Sequence, residues 1–154
     1  MGMTEAELSR MVGESRARTI MARSDARSKH QKRQGLPEHE EQASLFRMAE
    51  RASCAYPELE LLNGSLNGVR LTIGQAVKAK RSGMKKGYPD IQLPVARRGY
   101  HGMYIEMKHG RNRPEREQKA WLKRLKDEGH YVTVAYSALE AWDELMWYLG
   151  HDER

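Results

Sequence analysis

Cysteine occurs once in the 154 residues, at Cys54, and phenylalanine once, at Phe46. One thiol makes neither an internal disulfide nor a thiolate zinc site within a single chain, so reducing cytoplasm is the expected compartment and Cys54 is expected to be an inert, buried thiol. Long apolar runs are missing as well, the longest spanning a few residues against the roughly 20 that a membrane-spanning helix needs. A helical membrane protein is thereby excluded, and no basic stretch leads into an apolar segment of the kind a secretory leader requires. The six histidines contain no His-x-x-x-His pair, which excludes a zinc-hydrolase helix. Acid is absent from one long stretch: none lies between Glu60 and Asp90, where Arg70, Lys78, Lys80, Arg81, Lys85 and Lys86 stand unneutralised. Such a segment can counter several phosphates.

What is present is one domain's worth of chain with a net charge of +6, a balance that points to polyanionic partners. Residues 1–36 are rich in Arg, Ser and Met, and their cluster of Arg23, Arg27, Lys29, Lys32 and Arg33 precedes the break at Gly35-Leu36-Pro37. They read as a basic N-terminal arm, helical or flexible, and residues 37–154 as the folded domain. Pro37 opens a helix over residues 37–54 that places Leu45, Ala49 and Ala52 on one stripe, with Glu38, Glu41 and Gln42 on or beside it. Residues 58–62 read as a strand, followed by turn signals at Asn63-Gly64 and Asn67-Gly68. A helix over 72–81 ends at Gly83, strands are expected over 91–95 and 101–108, and a helix opened by Pro114 stops at Gly129. A strand over 131–136 and a helix after Ser137, with Glu140 at capping-box spacing, bury Leu139, Trp142, Leu145, Met146 and Leu149. This order describes an α/β fold, a central mixed sheet flanked by helices.

The chemistry centres on Gly87-Tyr88-Pro89-Asp90 and Glu106-Met107-Lys108. Side chains two apart on a strand share a face, so Glu106 and Lys108 project together while Met107 turns into the core. If Asp90 starts the neighbouring strand, its carboxylate approaches Glu106 across the pair. Two carboxylates that close repel each other, and a bound Mg²⁺ or Mn²⁺ is the natural compensation. Taken alone, Glu-x-Lys on a strand is an ordinary surface ion pair, and Pro-Asp is turn chemistry. Their combination in a sheet of otherwise buried residues is what calls for a cation.

Glu38 to Gln42, Asn63-Gly64, the basic segment 78–83, Gly87 to Asp90, Glu106 to Lys108, Gln118 with Trp121-Leu122, and Gly129 to Val132 together resemble the VRR-NUC nucleases, a branch of the PD-(D/E)XK superfamily, from Pro37 to about Leu149. The resemblance implies the restriction-endonuclease-like fold and a metal-dependent phosphodiesterase acting on DNA. In it Asp90 and Glu106 are metal ligands for Mg²⁺ or Mn²⁺, with a backbone carbonyl at Met107 as a further ligand, and Lys108 is the catalytic lysine. Gln118 matches the glutamine that follows the catalytic strand, with a positioning role. A glutamate on the first helix completes the set, and either Glu38 or Glu41 fits, Glu38 sharing a face with Gln42. Arg70, Lys78, Lys80, Arg81, Lys85, Lys86, Arg111 and Arg113 would hold flanking phosphates. The implied function is a structure-selective endonuclease similar to Holliday-junction resolvases, cutting branched or four-way DNA as a homodimer in a bacterial or phage-infected cell. The alternatives are a non-catalytic DNA-binding protein on the same surface and a restriction-like nuclease.

Overall fold

The computed structural model describes residues 37–67 and 71–151 together with Ala6. The expected arm over 1–36, Ala6 apart, and the expected phosphate contact at Arg70 lie outside the described residues. Among the described residues from 37 on, four helices and four strands follow in chain order: α1 (Glu38–Ala52), a 3-10 turn (Pro57–Leu61), β1 (Asn63–Gly64), α2 (Ile73–Arg81), β2 (Ile91–Leu93), β3 (Met103–Met107), α3 (Arg116–Asp127), β4 (Tyr131–Ala135) and α4 (Ala138–Leu149). The strands form one mixed sheet in the order β1-β2-β3-β4, the first two pairings antiparallel and the last parallel. The parallel pair is joined through α3, as a parallel connection requires.

Strand alternation divides the sheet into two unlike faces. Ile91, Leu93, Met103, Ile105, Met107, Tyr131 and Ala135 are buried in one core with Leu45 and Ala49 of α1 and Ala141, Leu145 and Tyr148 of α4. On the opposite face Gln92, Tyr104 and Glu106 alternate with those residues, and Val132 and Val134 of β4 are buried beside α3, whose Leu122 is fully enclosed. The apolar face holds the sheet to α1 and α4. The other face carries the polar residues.

Four expectations need correction. Residues 57–61 form a 3-10 turn, not a strand: Pro57 opens it with a fixed φ and no N–H, Leu59 N and Leu62 N bond back to Tyr56 and Leu59 carbonyls, and of its two leucines Leu59 alone is buried. Asn63-Gly64 is the edge strand itself. Gly64 lies close under α1, where a Cβ would stand 3.0 Å from Gln42 Nε2 and 3.3 Å from the Phe46 ring, so a side chain there would need both to give way. In α4 the inward stripe is Ala138, Ala141, Leu145 and Tyr148, which leaves Leu139 exposed, and Glu144 is buried because its carboxylate accepts from the Tyr131 hydroxyl at 2.7 Å. Cys54 is exposed, because it follows the last turn of α1 beyond the packed stripe.

The loop between α2 and β2 is tightly held. Asn67 donates its side-chain amide to the Lys85 and Tyr88 carbonyls at 3.1 and 2.8 Å, and Trp121 Nε1 donates to the Lys86 carbonyl at 3.1 Å. Gly87 fits because its φ is +79° and because a Cβ would stand 2.8 Å from the Glu117 backbone. Gly83, with φ +95°, has nothing within 4 Å of its Cβ position. Gly87→Ala is therefore expected to destabilise by about 2 kcal/mol or more, and Gly83→Ala by about 1 kcal/mol, the conformational cost alone, as read from urea midpoints.

Candidate active site

The antiparallel register pairs Ile91 with Ile105, so one step outward Asp90 stands opposite Glu106. Asp90 is fixed across the strands: its Oδ2 accepts from Met107 N at 2.8 Å. Glu106 is 0% exposed. Its Oε1 meets Lys108 Nζ at 2.9 Å and accepts from Gln118 Nε2, while its buried Oε2 has no hydrogen-bond partner. A buried carboxylate oxygen without a partner is costly, and native structures rarely leave one without a reason.

Gln118 reaches Glu106 because of how α3 begins. Glu115 and Gln118 form a reciprocal capping box in which Gln118 Oε1 accepts from Glu115 N at 2.8 Å. With its oxygen committed to the helix start, the amide's N–H₂ is the end turned to Glu106. The Glu115-x-x-Gln118 spacing was the available signal for this arrangement; the sequence reading assigned Gln118 a role without seeing what orients it. Asn67, read as a turn residue, is the second omission, since its amide braces the backbone just ahead of Asp90.

Of the two α1 glutamates, only Glu38 joins the group. Its Oε1 lies 3.6 Å from Lys108 Nζ and accepts from His109 N at 3.1 Å. Glu41, three residues on, sends Oε2 to Ala138 N at 2.7 Å, where it meets the positive end of α4 and supplements the Ser137 cap. Its Oε2 is engaged at a helix terminus, not at Lys108. The expected box at Ser137 is half formed, since Glu140 turns to Tyr136 N instead.

Electrostatics follow from burial. Desolvation and the charge of Asp90 push Glu106 up to about 8, against the pull of Lys108. Desolvation also raises Asp90, opposed by its bond from Met107 N. Burial works against the charged form of Lys108, but Glu106, Glu38 and Asp90 outweigh it and hold the ammonium above its ordinary value. Among the described residues no three His, Cys, Asp or Glu side chains converge as a ligand set; Glu38 reaches the group through Lys108. The groups that do converge are two carboxylates, Asp90 held by Met107 N and Glu106 with its orphaned Oε2, and their oxygen chemistry fits a hard divalent cation whose remaining positions water would fill.

The basic residues frame this group without entering it. Lys78, Lys80 and Arg81 form the last turn of α2, Lys85 and Lys86 lie exposed between α2 and Asp90, and Arg111 and the half-buried Arg113 stand in the loop after Lys108. Lys86 pairs with Glu117 at 3.2 Å, an exposed contact of small energy.

Two predictions test this geometry. Glu106 keeps its proton up to about pH 8 when folded, whereas the unfolded chain releases it near 4.5. A carboxyl raised by folding adds stability that is complete below the unfolded value and is lost as pH rises through the folded one. Metal-free protein should therefore lose thermal stability between 4.5 and about 8, Glu106→Gln should flatten that decline, and Mn²⁺ should restore the parent at its upper end. Glu41→Ala should cost about 1 kcal/mol in denaturant titration. It should leave Mn²⁺ affinity, followed by calorimetry, unchanged; weakened affinity would return Glu41 to the ligand set.

Comparison with known proteins identifies the family. The VRR-NUC domain model matches residues 22–139. A solved structure of a VRR_NUC domain protein superposes with a TM-score of 0.64 at 28% identity, covering 79% of this chain and 94% of that chain. No curated protein matches. The matched span takes in both strands of the carboxylate pair, the lysine, the capping glutamine and the first helix, and so the chain belongs to the VRR-NUC family of nucleases.

Proposed function

We propose that this protein is a divalent-metal-dependent endodeoxyribonuclease that cuts branched DNA, in the manner of a Holliday-junction resolvase, with Asp90 and Glu106 holding Mg²⁺ or Mn²⁺. The observation that carries the reading is the fully buried Glu106 carboxylate, one oxygen bound by Lys108 and Gln118 and the other without a partner, facing Asp90 across two strands. A fold has little reason to bury such a pair for stability alone. Family membership supports nuclease chemistry and a divalent metal; preference for branched substrates, the identity of the ion and action as a homodimer are this reading's own.

The ion, when bound, neutralises phosphate charge and makes water a better nucleophile at neutral pH. Asp90, Glu106 and the Met107 carbonyl would hold it. Lys108 remains charged because three carboxylates surround it, and it is placed to stabilise negative charge that grows on the phosphoryl oxygens. Gln118 keeps Glu106 Oε1 occupied, so Oε2 is the oxygen that would be left to hold a cation. Glu38 steadies Lys108 from the other side. Around this centre the exposed cations of α2 and of the loop after β3 would hold flanking phosphates without reading sequence, the work of a cytoplasmic enzyme meeting DNA by structure rather than by base order.

The test is cleavage of a four-way junction beside flap and linear controls. Nicking that needs Mg²⁺ or Mn²⁺ and stops with EDTA is expected. Asp90→Asn should lower the rate by roughly 10³-fold or more while DNA affinity holds within a few-fold and keeps its steep salt dependence. Paired symmetric incisions would support the dimer. An Asp90→Asn protein with full activity would overturn the assignment.

A further inference from the structure

Beside the carboxylate pair, on the polar face of the sheet, a cleft of about 560 Å³ opens between the C-terminal end of α2 and the β1–β2 edge. That volume falls in the range of roughly 300–1,000 Å³ typical of sites for small organic groups. Tyr88, Pro89 and Met84 line it as apolar and aromatic wall, and Asn63, Ser65 and Gln92 as polar edge. We propose that this cleft receives an unpaired nucleobase lying next to the scissile phosphodiester. The inference rests on the nuclease reading and deepens it by naming what makes a substrate acceptable.

Position is the first argument. Tyr88 and Pro89 run directly into Asp90, and Ser65 N donates to the Asp90 carbonyl at 2.7 Å, so the cleft wall and the proposed metal ligand move as one piece. A nucleotide whose phosphate sits at Asp90 has its base or its neighbour's base within reach of this wall. Preorganisation is the second. The Tyr88 hydroxyl donates to Gln92 Oε1 at 2.7 Å, the ring packs edge-on against Trp121 and Tyr104 at 5.2 and 6.0 Å, and Asn67 holds the Tyr88 carbonyl. The wall therefore stands ready before any ligand arrives.

Chemistry is the third. Among the described residues no lysine or arginine lines the cleft, while Lys78, Lys80, Arg81 and Lys85 flank its α2 side along the chain. Aromatic and thioether surface with amide and hydroxyl groups at the margin suits a flat heterocycle with a hydrogen-bonding edge, its phosphates left to the cations outside. Leu66, an apolar side chain 60% exposed on the lip, gains cover when the cleft is filled. A base stacked in duplex must first be extracted to enter, whereas one in a flap or gap is already free and one at a branch point is more easily freed. The cleft would thus select unpaired nucleotides without reading sequence.

The experiment places 2-aminopurine at successive positions of a flap and of a four-way junction and follows its emission on binding to the full chain in metal-free buffer. Expected is a change of about twofold or more at one position within a nucleotide or two of the cut, with the others unmoved. Ala79→Trp, which fills the cleft from α2, and Ser82→Trp, at the exposed end of that helix, should each abolish this signal and slow cleavage about tenfold while circular dichroism stays that of the parent. Emission that changes nowhere, or equally everywhere, or that survives in both folded variants, overturns the proposal. Emission does not depend on cleavage, so a base that seats in a protein unable to cut any DNA would sink the nuclease reading and leave the cleft standing; metal-dependent cutting without a seated base would do the reverse.

Discussion

A carboxylate taken fully out of water must be matched by charge or by a proton, and Glu106 is held between those two solutions. Lys108 and Gln118 satisfy one oxygen, the second is left over, and the neighbouring Asp90 makes ionisation harder still. Much of the surrounding architecture keeps this unfavourable arrangement in place. The β2–β3 register sets Asp90 opposite Glu106, the bond from Met107 N pins Asp90, and α1 brings Glu38 to the far side of Lys108. Loosening any of these supports would let the pair relax by separating, and the site for a cation would go with it.

Two helix starts carry much of that support. At α3 the capping pair Glu115 and Gln118 closes the helix and simultaneously aims an amide at Glu106, so helix formation and site assembly are one event. At α4 the carboxylate of Glu41 receives Ala138 N, which ties the first helix to the last around the end of the sheet. Local hydrogen-bonding demands of backbone N–H groups thereby position side chains that also tie distant elements together.

Strand alternation and residue chemistry made the centre of the site legible in the sequence: Glu106 and Lys108 share a face, Met107 is buried between them, and the acid before β2 faces them. The mixed sheet and its flanking helices followed from the same periodicities. The choice between Glu38 and Glu41 did not, because a helical wheel gives direction around the axis and both residues point inward; what separates them is which strand end or helix end lies at each height along α1. Asn63-Gly64 reads as a turn by local preference, yet its glycine answers a tertiary demand for room under Gln42 and Phe46. Residues 57–61 alternate as a strand would, and proline at the first position decides otherwise. Leu139 and Cys54 went astray for a related reason, since hydrophobic character alone does not say which side of a helix end the neighbouring layer covers.

Helix α2 has no buried residue, and its start is closed by its own Thr72–Gln75 capping box, with Ile73 and Val77 facing solvent. It owes almost nothing to the core and lends it almost nothing. Amino-acid changes along its outer surface escape the packing constraints that govern the sheet, so this helix can be resurfaced at little cost to folding.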